Sequence, residues 1–218
     1  IGNADGTTTG FNLHFGEAHF SGKPFYGGHY GSNNDNHYQL VSYGGIDFII
    51  ISLEYDPTQD QPVLDWANTL LQTYSTRKAI IMSHYLINAN GSWGTQGQAI
   101  YNALRSNPNL FLMLCGHVSI VASDVARRTD TYNGNTVVTL LSDYQSRSGG
   151  GHGLMRLLTF NPASNTINVE TFSPYDNTFE LDANNTFTSS ISLGTSTPFE
   201  LIQEFPSVSP SATTNVTW

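Results

Sequence analysis

The chain has 218 residues, long enough for one domain with a sizeable core and no disulfide staple. Only 11% of its residues are charged and its formal net charge is −9, which argues against nucleic acid and anionic lipid as partners, and against an anionic substrate unless a metal offsets the field. No stretch is long or apolar enough to span a bilayer, Ile1 reads as a processed or trimmed terminus, and the abundance of Asn, Ser, Thr, Gly and Tyr is a bias of secreted proteins, so the expected location is secreted or extracellular.

Residues 6 to 37 are rich in Gly, Asn, His and aromatics and show no sustained period, which predicts a long irregular loop of the functional kind. Tyr38 to Tyr43 alternates weakly, and Asp47-Phe-Ile-Ile-Ile-Ser-Leu53 is a β-branched run suited to a buried strand. Asp60 and Pro62 mark the start of a helix whose apolar face is Val63, Leu64, Trp66, Ala67, Leu70, Leu71 and Tyr74. A strand over 78 to 83, a loop carrying Asn88 to Trp93, a helix from Gln96 to Arg105 and a strand over 109 to 115 follow. This strand-helix-strand-helix-strand order predicts parallel neighbours. Beyond His117 the runs Thr136 to Leu141, Leu154 to Phe160 and Thr166 to Phe172, with turn chemistry at Asn133-Gly134 and Asn161-Pro162, predict an antiparallel meander. The expected organisation is one layered α/β domain over residues 1–205 and a Ser/Thr/Pro-rich tail or linker over 206–218.

Cys115 is the lone cysteine, so no intrachain disulfide forms, and its apolar strand makes it a small buried hydrophobe. Asn90, Asn184 and Asn215 head Asn-x-Ser/Thr triplets and are candidate glycosylation sites if the chain is exported from a eukaryotic cell.

Two apolar strands end in histidine, Lys78-Ala-Ile-Ile-Met-Ser83 before His84 and Leu110-Phe-Leu-Met-Leu-Cys115-Gly116 before His117. Ligand sites of open α/β sheets lie beyond the carboxyl ends of the strands, so the two imidazoles should face one crevice. Together with Gly2-Asn3-Ala4-Asp5, the segments Ser83-His84 and Gly116-His117-Val118-Ser119 resemble, in order and spacing, the later motifs of the calcineurin-like metallophosphoesterase family: Gly-Asn-His-Asp/Glu, a lone His after a strand, and Gly-His-x-His. Leu53-Glu-Tyr55, Trp66-Ala-Asn68, Asp143-Tyr-Gln145 and Thr171-Phe-Ser-Pro174 resemble a secreted branch of that family, and the similarity spans residues 1 to 180.

The resemblance implies a layered metallophosphoesterase-like β-sandwich with flanking helices, from which the N-terminal strand-helix-strand unit is absent. It implies that Asn3, His84 and His117 are ligands of one metal and that Asp5 orients the catalytic imidazole. That imidazole is replaced by Ala4, and Ser119 stands where the second His of Gly-His-x-His would bind the other metal. The opening Asp-x-His and Gly-Asp-x-x-Asp motifs have no counterpart in these residues. What the resemblance then supports is at most one divalent transition ion, zinc, iron or manganese, or none. Three neutral ligands hold Mg²⁺ or Ca²⁺ poorly. The implied activity is weak or degenerate hydrolysis of a phosphomonoester or phosphodiester by metal-activated water; the alternative is a non-catalytic secreted binding or assembly module. A sheet edge left uncovered by the absent unit suggests a homo-oligomer or an N-terminal fragment as partner.

Gly149-Gly-Gly151-His152-Gly153 lacks the Lys-Ser/Thr and the helix of a phosphate loop and reads as a close turn beside the site, with His152 a candidate catalytic residue. Tyr144 and Arg147, with Asp143, are placed on the rim, where Arg147 pairs with either a phosphate or a structural carboxylate. His14, His19, His29 and His37 fit no ligand spacing and read as part of an aromatic-rich loop, and Ser83 and Ser119 lack the elbow context of a nucleophile.

Overall fold

Seven strands form one mixed sheet in the order β1-β2-β3-β4-β5-β7-β6: β1 (Tyr26–His29), β2 (His37–Tyr43), β3 (Ile46–Leu53), β4 (Lys78–Ser83), β5 (Leu110–Cys115), β6 (Val125–Tyr132) and β7 (Asn135–Ser142). The computed structural model describes residues 8–56, 60–120 and 124–193; the expectations for Asn3, Ala4, Asp5, Asn215 and the 206–218 tail fall outside the described residues. Strands β3, β4, β5 and β7 run parallel, as the alternation of strands and helices predicted for the first three of them, while β1, β2 and β6 pair antiparallel at the flanks.

The central strands are apolar throughout because both faces are covered. Ile49, Ile51, Ala79, Ile81 and Met113 pack against α2 (Gln61–Thr73) and α3 (Thr95–Leu104). Phe48, Ile80, Leu112, Val138 and Leu140 point the other way, onto Ile167, Val169, Ile191 and Leu193. Phe111 joins Leu112 on that second face because the β4–β5 register shifts between Ala79 and Ile80, so two consecutive residues share a side. The second face is covered by a smaller antiparallel sheet with β9 (Thr166–Ser173) at its centre, β8 (Met155–Asn161) on one edge, and β10 (Thr178–Glu180) and β11 (Phe187–Ser190) along the other. The result is a layered α/β molecule with a large mixed sheet flanked by helices.

Helix α2 begins at Asp60 with Pro62 in its first turn, and Val63, Leu64, Ala67, Leu70 and Leu71 bury one stripe. Its last turn is closed from outside: Asn109 Nδ2 donates to the carbonyls of Leu71, Tyr74 and Arg77 at 3.1, 3.3 and 3.1 Å. Helix α3 lies close to the chain after β4. A Cβ on Gly97 would stand 2.0 Å from the Leu86 carbonyl oxygen, so only glycine permits the approach.

Two expectations are corrected. The irregular loop over 6 to 37 contains α1 (Thr9–Phe15), a 3₁₀ turn at Glu17–His19 and β1. The run Thr136 to Leu141 does not belong to the meander; it is β7, parallel to β5 in the main sheet, with β6 as its antiparallel outer neighbour. Only the later hairpin, β8 to β9, is the antiparallel pair expected there.

Candidate functional site

The parallel strands deliver their next residues to one rim of the sheet: Glu54 and Tyr55 after β3, His84 and Tyr85 after β4, Gly116 and His117 after β5, and Asp143 after β7. His117 Nδ1 and His84 Nε2 meet at 2.8 Å, and both residues are exposed. The Gly116 N–H donates to the His84 carbonyl at 3.1 Å and the Val118 N–H to the Gly116 carbonyl at 3.0 Å. His117 sits at the centre of that three-residue turn with φ at +74°, a left-handed conformation that costs a side-chain-bearing residue about 1–3 kcal/mol. The fold holds this imidazole in place against a local penalty.

Burial, and secondarily the facing His117, push the His84 imidazole below its ordinary range, while Asp143 opposes the shift. The neutral ring, which carries a free lone pair, is thereby favoured at neutral pH. Two imidazole nitrogens bound at about 2.0–2.1 Å to one zinc ion, at angles between a right angle and tetrahedral, are roughly 2.9–3.4 Å apart. The pair is a few tenths of an ångström closer than that, within reach of a small ring rotation. Two neutral nitrogens with open space beside them suit a borderline ion such as Zn²⁺ and do not suit Mg²⁺ or Ca²⁺. Among the described residues no group of three His, Cys, Asp or Glu converges for a metal, so a third ligand would have to be of another type or lie elsewhere in the chain.

Ser119 is embedded in a hydroxyl and amide network. Its Oγ accepts from Gln145 Nε2 at 3.2 Å and from Ser146 Oγ at 2.9 Å. Gln145 also donates to Asp143, through its backbone N–H to Oδ1 at 3.2 Å and its Nε2 to Oδ2 at 3.3 Å.

The other residues singled out from sequence have partners of their own. Arg147 is held by Asp124, which is 1% exposed and takes both Nε and Nη2, and by Glu180, which takes Nη1. Tyr144 is buried, with its hydroxyl 3.2 Å from Thr171 Oγ1 and 3.3 Å from Arg156 Nε. His152 Nδ1 lies 2.8 Å from Asp176 Oδ2, beside the Tyr175 ring. It belongs to five consecutive left-handed residues, Gly149 to Gly153, with φ of 61, 66, 77, 50 and 70°. Four glycines are what that run requires. His29 meets the Tyr26 hydroxyl and His37 the Asn34 carbonyl, at 2.9 and 2.7 Å. Asn90 and Asn184 are exposed. Cys115 is half-buried, and burial pushes its thiol up.

One feature was missed from sequence. A pocket of about 230 Å³, lined by Tyr55, Tyr85, Asn88, Trp93, Thr95 and Gln96, adjoins the imidazole pair, with the His117 ring against Tyr55 at 6.2 Å and against Tyr85 at 4.8 Å. The available signal was positional: two tyrosines each stand two residues beyond the ends of adjacent parallel strands.

No family model matches the chain. Over 173 residues, 78% of this chain, it is 32% identical to the uncharacterized protein YvnB of Bacillus subtilis (strain 168). The matched stretch is 13% of that protein, so the chain spans a small part of its relative. Among solved structures it is similar to a candidate 5'-nucleotidase from Staphylococcus aureus in complex with alpha-ketoglutarate, at 11% identity and a TM-score of 0.37, over 83% of this chain and 33% of that one. That likeness is too loose to equate the two folds. The chain is related over most of its length to one segment of a much longer protein.

Proposed function

We propose that this chain is a metallophosphoesterase-like hydrolase domain with a reduced centre, in which His84 and His117 hold one zinc, iron or manganese ion together with Asn3. The carrying observation is the convergence of His84 Nε2 and His117 Nδ1 at 2.8 Å beyond two adjacent parallel strands, on the motif positions that resemble that family's ligands. Such an ion, when bound, supplies a water of lowered pKa and a Lewis acid for a phosphoryl oxygen. The chain's own part is to present two neutral nitrogens, fixed by the turn at His117 and backed by the Tyr55 ring. Asp143 adds a carboxylate whose charge acts on His84. Ala4 carries no proton to deliver to a leaving group, and Ser119 is committed to Gln145 and Ser146, so turnover is slow.

These two replacements also support the second reading, a secreted binding or assembly module on the same fold, whether as a homo-oligomer or with an N-terminal partner fragment. Extracellular location and glycosylation at Asn90, Asn184 and Asn215 belong to either reading. The deciding experiment measures metal per chain and hydrolysis of p-nitrophenyl phosphate and bis-p-nitrophenyl phosphate, with and without zinc or manganese. The hydrolase reading expects about one ion per chain, lost in His84→Ala and His117→Ala, and turnover raised by Ala4→His. No bound metal and no turnover in either assay would leave the binding module.

A further inference from the structure

Charge around the imidazole pair has one sign. The chain has eight Lys and Arg, all among the described residues, yet the charges that act on His84 are those of His117 and Asp143 alone. Arg77 and Lys78 stand at the start of β4, and Arg105 rests on Tyr132 beside the start of β7, both at the opposite end of the sheet from His84. Lys23 lies before β1, at the outer edge of the sheet. Arg128, which backs Trp93, is taken up by Asp130, and Arg147 by Asp124 and Glu180. Arg127 and Arg156 lie against the Phe187 ring.

Carboxylates gather at the rim instead. A Cβ on Gly116, the residue before His117, would stand 3.7 Å from Asp143 Oδ2. Gln145 fixes that carboxylate with its backbone N–H at 3.2 Å and its Nε2 at 3.3 Å. At the end of β3, Glu54 precedes the Tyr55 that stacks on His117, and Asp35, Asp56 and Asp60 all bear on it. Burial first, then those three carboxylates, push the Glu54 carboxyl up, while the hydrogen bond from Asn36 opposes the shift.

This arrangement bears on the charge a substrate can carry. Two imidazoles are neutral ligands, so Asp143 is the nearest compensation for a divalent ion held there, and a second negative charge on phosphorus meets no Lys or Arg. A charge taken out of water without a partner is costly. At neutral pH a phosphodiester carries one negative charge, whereas a phosphomonoester, with a second pKa of about 6, carries nearly two.

We propose that Asp143 is a specificity-determining residue of this site, a fixed charge that admits a singly charged phosphodiester and turns away a doubly charged phosphomonoester. The assignment rests on the hydrolase reading and narrows it. Hydrolysis of a diester joins the oxygen of one water to phosphorus, breaks one P–O ester bond and releases an alcohol that takes one of the water's protons. The other proton leaves to solvent as the monoester product becomes a dianion. That product meets the repulsion its parent escaped, so the reaction stops after one bond.

The test is calorimetric titration of the zinc-loaded chain, its zinc content measured first, with methyl phenyl phosphate and phenyl phosphate at low salt and about pH 7.5, where the two differ by one charge. The diester should bind about tenfold more tightly, the scale of one unit charge acting over about 10 Å at an effective dielectric near 20. Asp143→Asn keeps an oxygen for the Gln145 N–H and should tighten phenyl phosphate about tenfold more than it tightens the diester, whereas structural damage would loosen both. Should that variant fail to fold, the preference of the native chain must shrink when salt is raised to about 0.5 M. Bis-p-nitrophenyl phosphate should yield p-nitrophenyl phosphate and no inorganic phosphate by phosphorus NMR. Tighter binding of phenyl phosphate to the native chain, an equal response of both ligands to Asp143→Asn, a preference indifferent to salt, or release of inorganic phosphate overturns the proposal and leaves the hydrolase reading standing on its zinc. Absence of zinc from the chain removes that reading, and the proposal with it.

Discussion

Asn109 shows how much a single buried amide carries. It is 4% exposed, and its Nδ2 donates to three carbonyls at and beyond the end of α2, of which Tyr74's also accepts from the Arg77 N–H at 2.8 Å. Asn109→Asp would replace this donor with a carboxylate facing the same three oxygens in a buried site. A loss of about 3–5 kcal/mol is expected, the scale for a buried unpaired charge, whereas Asn109→Ala should cost about 1–3 kcal/mol. Urea unfolding checks both, and equal midpoints for the two variants would contradict the account. Nothing in the sequence announced this role, because Asn109 reads only as the first residue of the strand over 109 to 115. His84 and His117 were legible for the opposite reason: each comes within two residues of the end of an apolar strand, and strand adjacency then brings them together. Arg147 illustrates the ambiguity between those extremes, since its partners Asp124 and Glu180 lie 23 and 33 residues away along the chain.

The elements read most clearly were those with a full apolar face. β3, β4, β5, α2 and α3 were recovered to within a residue or two at each end. β6 was not, because Arg127, Arg128 and Asp130 sit on an edge strand where charge is the normal protection and apolar alternation is weak. β1 and α1 lay hidden in a segment whose glycines and histidines break any period. Gly97 tests whether the placement of α3 depends on a close approach or merely tolerates it. Ala is the better helix former by about 1 kcal/mol, so propensity alone predicts that Gly97→Ala stabilises. The Cβ, however, would stand 2.0 Å from the Leu86 oxygen and 2.6 Å from its carbonyl carbon, backbone atoms that cannot swing away. A net destabilisation of about 1–3 kcal/mol is expected, with loss of the pocket that Thr95 and Gln96 line. A rise in melting temperature would mean that α3 shifts freely.

At the scale of the whole molecule, the site and the sheet are one object. His84 and His117 are 33 residues apart in sequence and meet only because β4 and β5 pair in parallel. The unfolded chain has no comparable preformed pair, so an ion held there binds the folded state preferentially and must stabilise it. With free zinc at about 100 times its dissociation constant the stabilisation is about 2.7 kcal/mol, and for a chain of this size that raises the melting temperature by roughly 5–11 °C. The shift should vanish in the His84→Ala, His117→Ala double variant and reverse with chelator. Because it needs neither a substrate nor turnover, the measurement separates a living metal centre from an active one. A full shift with no hydrolysis would mean that the imidazole pair binds an ion without turning over a phosphoester. No shift would mean that the two imidazoles are partners only to each other, a hydrogen-bonded clasp between neighbouring strand ends.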